Sequence, residues 1–154
     1  MPIRVFIRNP TEEDCQELLS LRQRSKDFHF PWVFLSINEK DCKNYINRCQ
    51  NDDYQGLLIC HLNSNKIIGV VNFSQIFYGM FQNAYLSYYV GVDFAGQGLM
   101  SEGVYLAINY AFSTLELHRI EANIQPGNKA SISLVKRLGF TQEGFSQKYL
   151  QVIG

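Results

Sequence analysis

Residues 89–100, Tyr-Val-Gly-Val-Asp-Phe-Ala-Gly-Gln-Gly-Leu-Met, carry an apolar strand through a glycine-bracketed turn directly into a helix. Gly96 and Gly98 remove side chains where a ligand has to approach the backbone. The first N–H groups of the following helix point at the turn, where the positive end of the helix dipole favours an anion. By itself a Gly-x-Gly turn fits an ordinary tight connection as well as an anion cradle. A P-loop requires Gly-Lys-Ser/Thr where this chain has Gly98-Leu99-Met100, and a dinucleotide fingerprint requires Gly or Ala where it has Met100. The turn also comes after several strand-like segments, whereas a Rossmann unit opens its domain with it.

With 154 residues, 46% of them hydrophobic, the chain can bury one substantial core, and its length predicts a single domain over residues 1–154. Lysine plus arginine balances aspartate plus glutamate at 14 each, so no global field draws the protein to nucleic acid or an anionic membrane. Any anion must be gripped locally. No apolar run reaches the roughly 18 residues of a membrane span, and Met1-Pro2-Ile3-Arg4 lacks a signal-peptide pattern, which predicts a cytoplasmic protein. Cys15, Cys42, Cys49 and Cys60 have no C-x-x-C spacing and sit in apolar-periodic segments, as reduced core thiols do. His29, His61 and His118 are scattered, so no metal is expected.

Ile3 to Arg8 reads as a strand, and Thr11 followed by Glu12, Glu13 and Asp14 starts a helix whose face carries Cys15, Leu18, Leu19 and Arg22. The Phe28-His29-Phe30-Pro31-Trp32 cluster breaks that helix and supplies either a core plug or a pocket wall. Asn38 and Asp41 start a second helix bearing Cys42, Tyr45, Ile46 and Cys49. Gly56–Leu62, Ile67–Ile76 and Ala84–Val92 then read as an antiparallel meander with short connections. After the glycine turn, Met100, Gly103, Val104, Ala107, Ile108 and Ala111 line one face of a long helix. Arg119–Gln125 follows as a strand made parallel by that crossover. Asn128 caps a last helix with Leu134, Val135 and Leu138 facing inward and Gly139 at its end, and Phe140 returns as a strand. The pattern is a single α/β domain with a mixed sheet, an antiparallel meander followed by a parallel βαβ crossover.

That order of elements resembles the GNAT N-acetyltransferase superfamily, and particular motifs resemble its RimJ/RimL branch, acetyltransferases of ribosomal-protein N-termini. The motifs are Gly69-Val70-Val71-Asn72-Phe73, Gly79-Met80-Phe81, Ala95-Gly96-Gln97-Gly98-Leu99-Met100, His118-Arg119-Ile120-Glu121-Ala122, Asn128-Lys129-Ala130-Ser131, Leu138-Gly139-Phe140-Thr141-x-Glu143-Gly144 and Phe30-Pro31-Trp32. The likeness runs from Ile3 to Gly154.

The resemblance implies the GNAT fold and acetyl-CoA as donor. Its pyrophosphate would lie on the amides of Gly96, Gln97, Gly98, Leu99 and Met100, and its pantetheine would pair like an extra strand with the backbone around Val90 and Val92. Asn128 would hydrogen-bond the pantetheine arm and Ser131 would sit near the thioester sulfur as the catalytic hydroxyl; as plain helix caps, neither needs a ligand. The superfamily's Arg or Gln at the first turn position is Ala95 here, so phosphate binding rests on backbone amides. Ser87-Tyr88 stands where the branch tends to have Gly-Tyr, and no carboxylate occurs in Gln147-Lys148-Tyr149-Leu150-Gln151, where some relatives supply a base.

The implied reaction is direct attack of a neutral amine on the thioester. Its acceptor would be a protein N-terminal α-amine or, alternatively, a small amine such as a polyamine, amino acid or drug. A third reading is a non-catalytic acyl-CoA-binding protein. Tyr78, Phe81, Tyr85, Tyr88 and Tyr89 are candidates for the acceptor groove. The family pattern further expects a strand after residue 154, inserted between Arg119–Gln125 and the strand beginning at Phe140. That slot would be closed by a shift of Gln142–Val152, by a partner chain in a homodimer, or by further residues.

Overall fold

The computed structural model describes residues 3–29, 35–77, 82–124, 128–145 and 150–153. The Phe30-Pro31-Trp32 and Gly79-Met80-Phe81 motifs, Tyr78 and Gln147–Tyr149 lie outside them. One sheet of seven strands organises the chain, in the order β1-β2-β3-β4-β5-β7-β6. Strands β1 (Val5–Arg8), β2 (Gln55–His61), β3 (Ile67–Phe77) and β4 (Asn83–Val90) form the expected antiparallel meander. Helix α4 (Leu99–Ser113) then carries the chain over to β5 (Arg119–Ile124), which lies parallel to β4.

Strands β2 and β3 are buried on both faces, which explains why they read as nearly unbroken apolar runs. Leu57, Ile59, Val71 and Phe73 face a core shared with Val104, Ala107 and Ala111 of α4 and Val135 of α5 (Lys129–Arg137). Leu58, Cys60, Ile67 and Val70 face the opposite core with Leu18 and Leu21 of α1 (Cys15–Arg24) and Cys42 and Ile46 of α3 (Glu39–Arg48). Each such large side chain contributes about 1.5–3 kcal/mol by leaving water. Between α1 and α3 the chain forms a four-residue helix, α2 (Lys26–His29), so α1 breaks at Ser25, earlier than the aromatic cluster implied. Gly103 lets α4 lie close on the sheet: a Cβ there would stand 2.4 Å from Ile59 Cδ1.

Two further features differ from the sequence reading. β4 ends at Val90 rather than Val92, because residues 92–94 turn into a single 3-10 turn whose first N–H donates to Ser25 Oγ at 2.9 Å. The slot beside β5 is filled from within the chain. Leu150–Ile153 forms β7, antiparallel to both β5 and the outer strand β6 (Thr141–Phe145), with Ala122 opposite Val152 and Gln142 opposite Val152 on the other side. A partner chain is therefore not needed to satisfy β5.

Candidate active site

Pairing of β4 with β5 is confined to Asn83–Tyr85 against Arg119–Glu121, and beyond that point the two strands diverge. Their divergence opens a cavity of about 760 Å³ between the end of β4, the glycine turn, the first turn of α4 and one face of α5. That volume is in the range of small-molecule sites.

The backbone of the turn offers donors of a kind that suits an anion. Gly96 and Gly98 have φ of +77° and +76°, a region costly for side chains, and Gly98 is the residue from which α4 starts. A Cβ on Gly96 would meet nothing within 4 Å. The amides of residues 96–101 donate to no acceptor among the described residues. These donors converge with the helix dipole on one open space, which suits a phosphate.

Arg4 braces the turn from behind. Its Nη1 donates to the carbonyl of Gln97 at 3.1 Å, and its Nε and backbone N–H donate to the Glu102 carboxylate at 2.9 and 2.6 Å. Gln97 folds back on the turn, with Nε2 donating to the Asp93 carbonyl, and the Leu99 side chain is core. Neither of these two residues lines the cavity. Gly96, Gly98 and Met100 line it, as does Val90. Val92 does not, and its N–H is given to Ser25 Oγ.

On the opposite wall, Asn128 caps α5, its Oδ1 accepting the Ser131 N–H at 3.4 Å. Asn128 and Ser131 both border the cavity, so the cap and the candidate ligand contacts share one place. Ser131 Oγ lies 2.5 Å from the phenol oxygen of Tyr88, which is also within hydrogen-bond distance of the Ser131 carbonyl, at 3.1 Å. Burial, opposed by the bond to Ser131 and the charge of Arg137, pushes the Tyr88 phenol up to about 12.

Tyr88 and Tyr89 both reach the cavity, whereas Tyr85 does not line it. Burial also raises the Tyr89 phenol, and Tyr89 accepts a hydrogen bond from Arg22 Nε at 3.2 Å. Arg22 is buried at 6% exposure and stacks between Tyr45 and Tyr89, 5.8 Å from each ring centre. Among the described residues lining the cavity, Arg137 is the one charged side chain, hydrogen-bonded to Ser101 Oγ at 3.2 Å, and there is no carboxylate. The sequence offered no local signal for the Tyr88–Ser131 pair or for the placing of Arg137, whose position in the last turn of α5 also fits an ordinary helix-end cation. The described residues hold no group of three His, Cys, Asp or Glu side chains placed to bind a metal. No helix among them is long and apolar enough to cross a membrane.

Residues 4–141 match the family model described as the acetyltransferase (GNAT) domain, and the chain belongs to that family of acetyl-CoA-dependent N-acetyltransferases. It is 29% identical over 158 residues to the Bacillus subtilis protein named probable N-acetyltransferase YjcK, covering 97% of this chain and 87% of that one. To the Escherichia coli ribosomal protein uS5-alanine N-acetyltransferase it is 46% identical over 89 residues, covering 58% of this chain and 46% of that protein. The sequence is thus consistent with the RimJ/RimL branch. In fold it is similar to Mycobacterium smegmatis RimJ in complex with CoA-disulfide, with a TM-score of 0.88 at 18% identity over 97% of this chain and 81% of that one. It is also similar to the Vibrio cholerae spermidine N-acetyltransferase SpeG, with a TM-score of 0.81 at 16% identity over 98% and 93% of the two chains. At these identities the structural likenesses speak to fold alone.

Proposed function

We propose that this chain acetylates the N-terminal α-amine of a protein, such as a ribosomal protein, in the cytoplasm. The observation that carries the reading is that the described lining around Ser131, where the thioester would lie, holds no carboxylate either to pair a polycation or to serve as a base. The cavity also has Arg137 at its edge and the buried Arg22 guanidinium directly behind Tyr89. A polyamine would bring further positive charges to that wall with nothing to pair them, whereas a peptide N-terminus has only one amine to deliver. The lack of a base agrees. An α-amine of pKa near 8 costs under about 1 kcal/mol to neutralise at pH 7.5, while a lysine amine near 10.4 costs roughly 4 kcal/mol.

Acetyl-CoA fits the residues present. The amides of Gly96, Gln97, Gly98, Leu99 and Met100 would hold its pyrophosphate, Val90 and Asn128 its pantetheine arm, and Ser131 would face the thioester sulfur. When bound, it supplies an acyl group activated by a good leaving thiol. The protein's share of the chemistry is to align amine and carbonyl, to exclude water with Tyr88, Tyr89 and Met100, and to offer a hydrogen bond from Ser131 to the sulfur as charge develops there.

A peptide carrying both a free α-amine and a lysine, incubated with acetyl-CoA and fragmented in a mass spectrometer, tests the reading. The acetyl group is expected on the α-nitrogen. Acetylation confined to the lysine would overturn it.

A further inference from the structure

The Tyr88 phenol has one hydrogen and two acceptors in reach, the carbonyl and the hydroxyl of the same residue, Ser131. The two hydroxyls, 2.5 Å apart, share a hydrogen bond in which either can be the donor. If the phenol donates to the carbonyl, the hydrogen between the hydroxyls is the serine's own, and Ser131 has none to offer the cavity. If the phenol donates to Oγ, the serine hydrogen is released toward the cavity that both residues line. The pair therefore has two hydrogen arrangements, and one of them presents a donor to a ligand.

We propose that Tyr88 is a positioning residue for acyl transfer: by giving its hydrogen to Ser131 Oγ it turns the serine hydroxyl toward the thioester sulfur. The inference rests on the acetyl-transfer reading above. In the reaction the amine nitrogen's lone pair forms the C–N bond and the C–S bonding pair leaves on sulfur. The one proton lost from nitrogen passes to the thiolate or through solvent, giving an amide and a free thiol with protons and electrons balanced. Neither hydroxyl proton is consumed. Tyr88 keeps its own throughout, because burial disfavours the phenolate near neutral pH. Its role is to direct Ser131, and the ring also fills the wall that separates the cavity from the core.

Steady-state kinetics on the full chain test this, with Tyr88→Phe, Ser131→Ala and the double variant compared with wild type. Tyr88→Phe is expected to lower kcat by about 5- to 20-fold with KM for acetyl-CoA unchanged. The double variant should be no slower than Ser131→Ala, because two residues acting through one hydroxyl do not add. An unchanged kcat in Tyr88→Phe, or losses that multiply in the double variant, overturns the proposal. Should Tyr88→Phe fail to fold, Ser131→Thr serves instead. It keeps an oxygen in reach of the phenol and is expected to retain kcat within about 3-fold of wild type, and a rate as low as that of Ser131→Ala contradicts the proposal. Absence of wild-type turnover on every amine tested would strike the acetyl-transfer reading itself, a result distinct from any pattern among the variants.

Discussion

Arg4, at the entry to the first strand, is hydrogen-bonded through Nη1 to the carbonyl of Gln97, in the middle of the glycine turn, at 3.1 Å. The same guanidinium pairs with Glu102 in the first turn of α4, so one side chain ties strand, turn and helix together. By occupying the outer, carbonyl side of the turn, Arg4 leaves the amides facing the cavity. It also decides which glycine gives the cleaner test of the turn. A Cβ on Gly98 would stand 3.4 Å from Arg4 Nη2, so a carboxylate introduced there would be drawn into an ion pair.

Gly96 has no such neighbour, and its φ of +77° permits Asp at a modest strain of about 1 kcal/mol. Gly96→Asp is expected to fold and to weaken acetyl-CoA binding by at least about 10-fold, since it places a negative charge beside the pyrophosphate. Isothermal calorimetry giving equal affinities for variant and wild type would remove the turn from the binding site.

Ser131→Ala should lower kcat by about 10- to 100-fold with little change in acetyl-CoA affinity. The helix is not expected to suffer, because the Ser131 N–H that Asn128 accepts is backbone and survives the substitution. Unchanged turnover would reduce Ser131 to a first-turn residue with no chemical role.

The closeness of α4 to the sheet makes Gly103 a packing position. A Cβ there falls 2.4–2.9 Å from three atoms of Ile59, a buried residue with no room to retreat. Gly103→Ala should therefore destabilise by about 1–2 kcal/mol net of the alanine's better helix propensity, and shortening Ile59 to Val should recover part of the loss. Urea denaturation of the single and double variants measures both, and a stabilised Gly103→Ala would show that the helix can lift without cost.

Asp14 accepts both Nη atoms of Arg8, at 2.8 and 2.7 Å, and the N–H of Thr11 at 2.8 Å. The Arg8 bond, strengthened by Thr11 and opposed by burial, holds the Asp14 carboxyl below the usual range. A depressed native value contributes stability at pH above the unfolded value of about 3.9, and that contribution is lost as pH falls through the native value. Asp14→Asn should cost about 1–3 kcal/mol at pH 7, and the gap to wild type should close below about pH 4. A gap independent of pH would mean the ionised form is not what holds the pair.

Much of the fold was legible because it rests on local rules. The Gly96 and Gly98 turn, the Asn128 cap and Gly139 past the end of α5, with φ of +98°, each follow from what one or two residues permit. The parallel placement of β5 followed from the crossover length. What escaped depended on partners far away in sequence. Nothing in residues 91–94 announces that Ser25 captures the N–H of Val92 and ends the strand early. The slot beside β5 looked empty because the chain from Phe140 onward was read as one strand, whereas residues 141–145 and 150–153 are two that lie side by side. The Tyr88–Ser131 contact spans 43 residues and joins a strand aromatic to a helix hydroxyl, a pairing that no periodicity encodes.

Selectivity for a single α-amine as acceptor is read from kcat/KM for acetyl-CoA-dependent acetylation across a panel. The panel comprises peptides differing in their first residue, spermidine, and free amino acids, at one pH and salt concentration. At least one peptide is expected to exceed spermidine by about 10-fold or more, the discrimination that roughly 1.4 kcal/mol provides. Preference for spermidine over every peptide would contradict it.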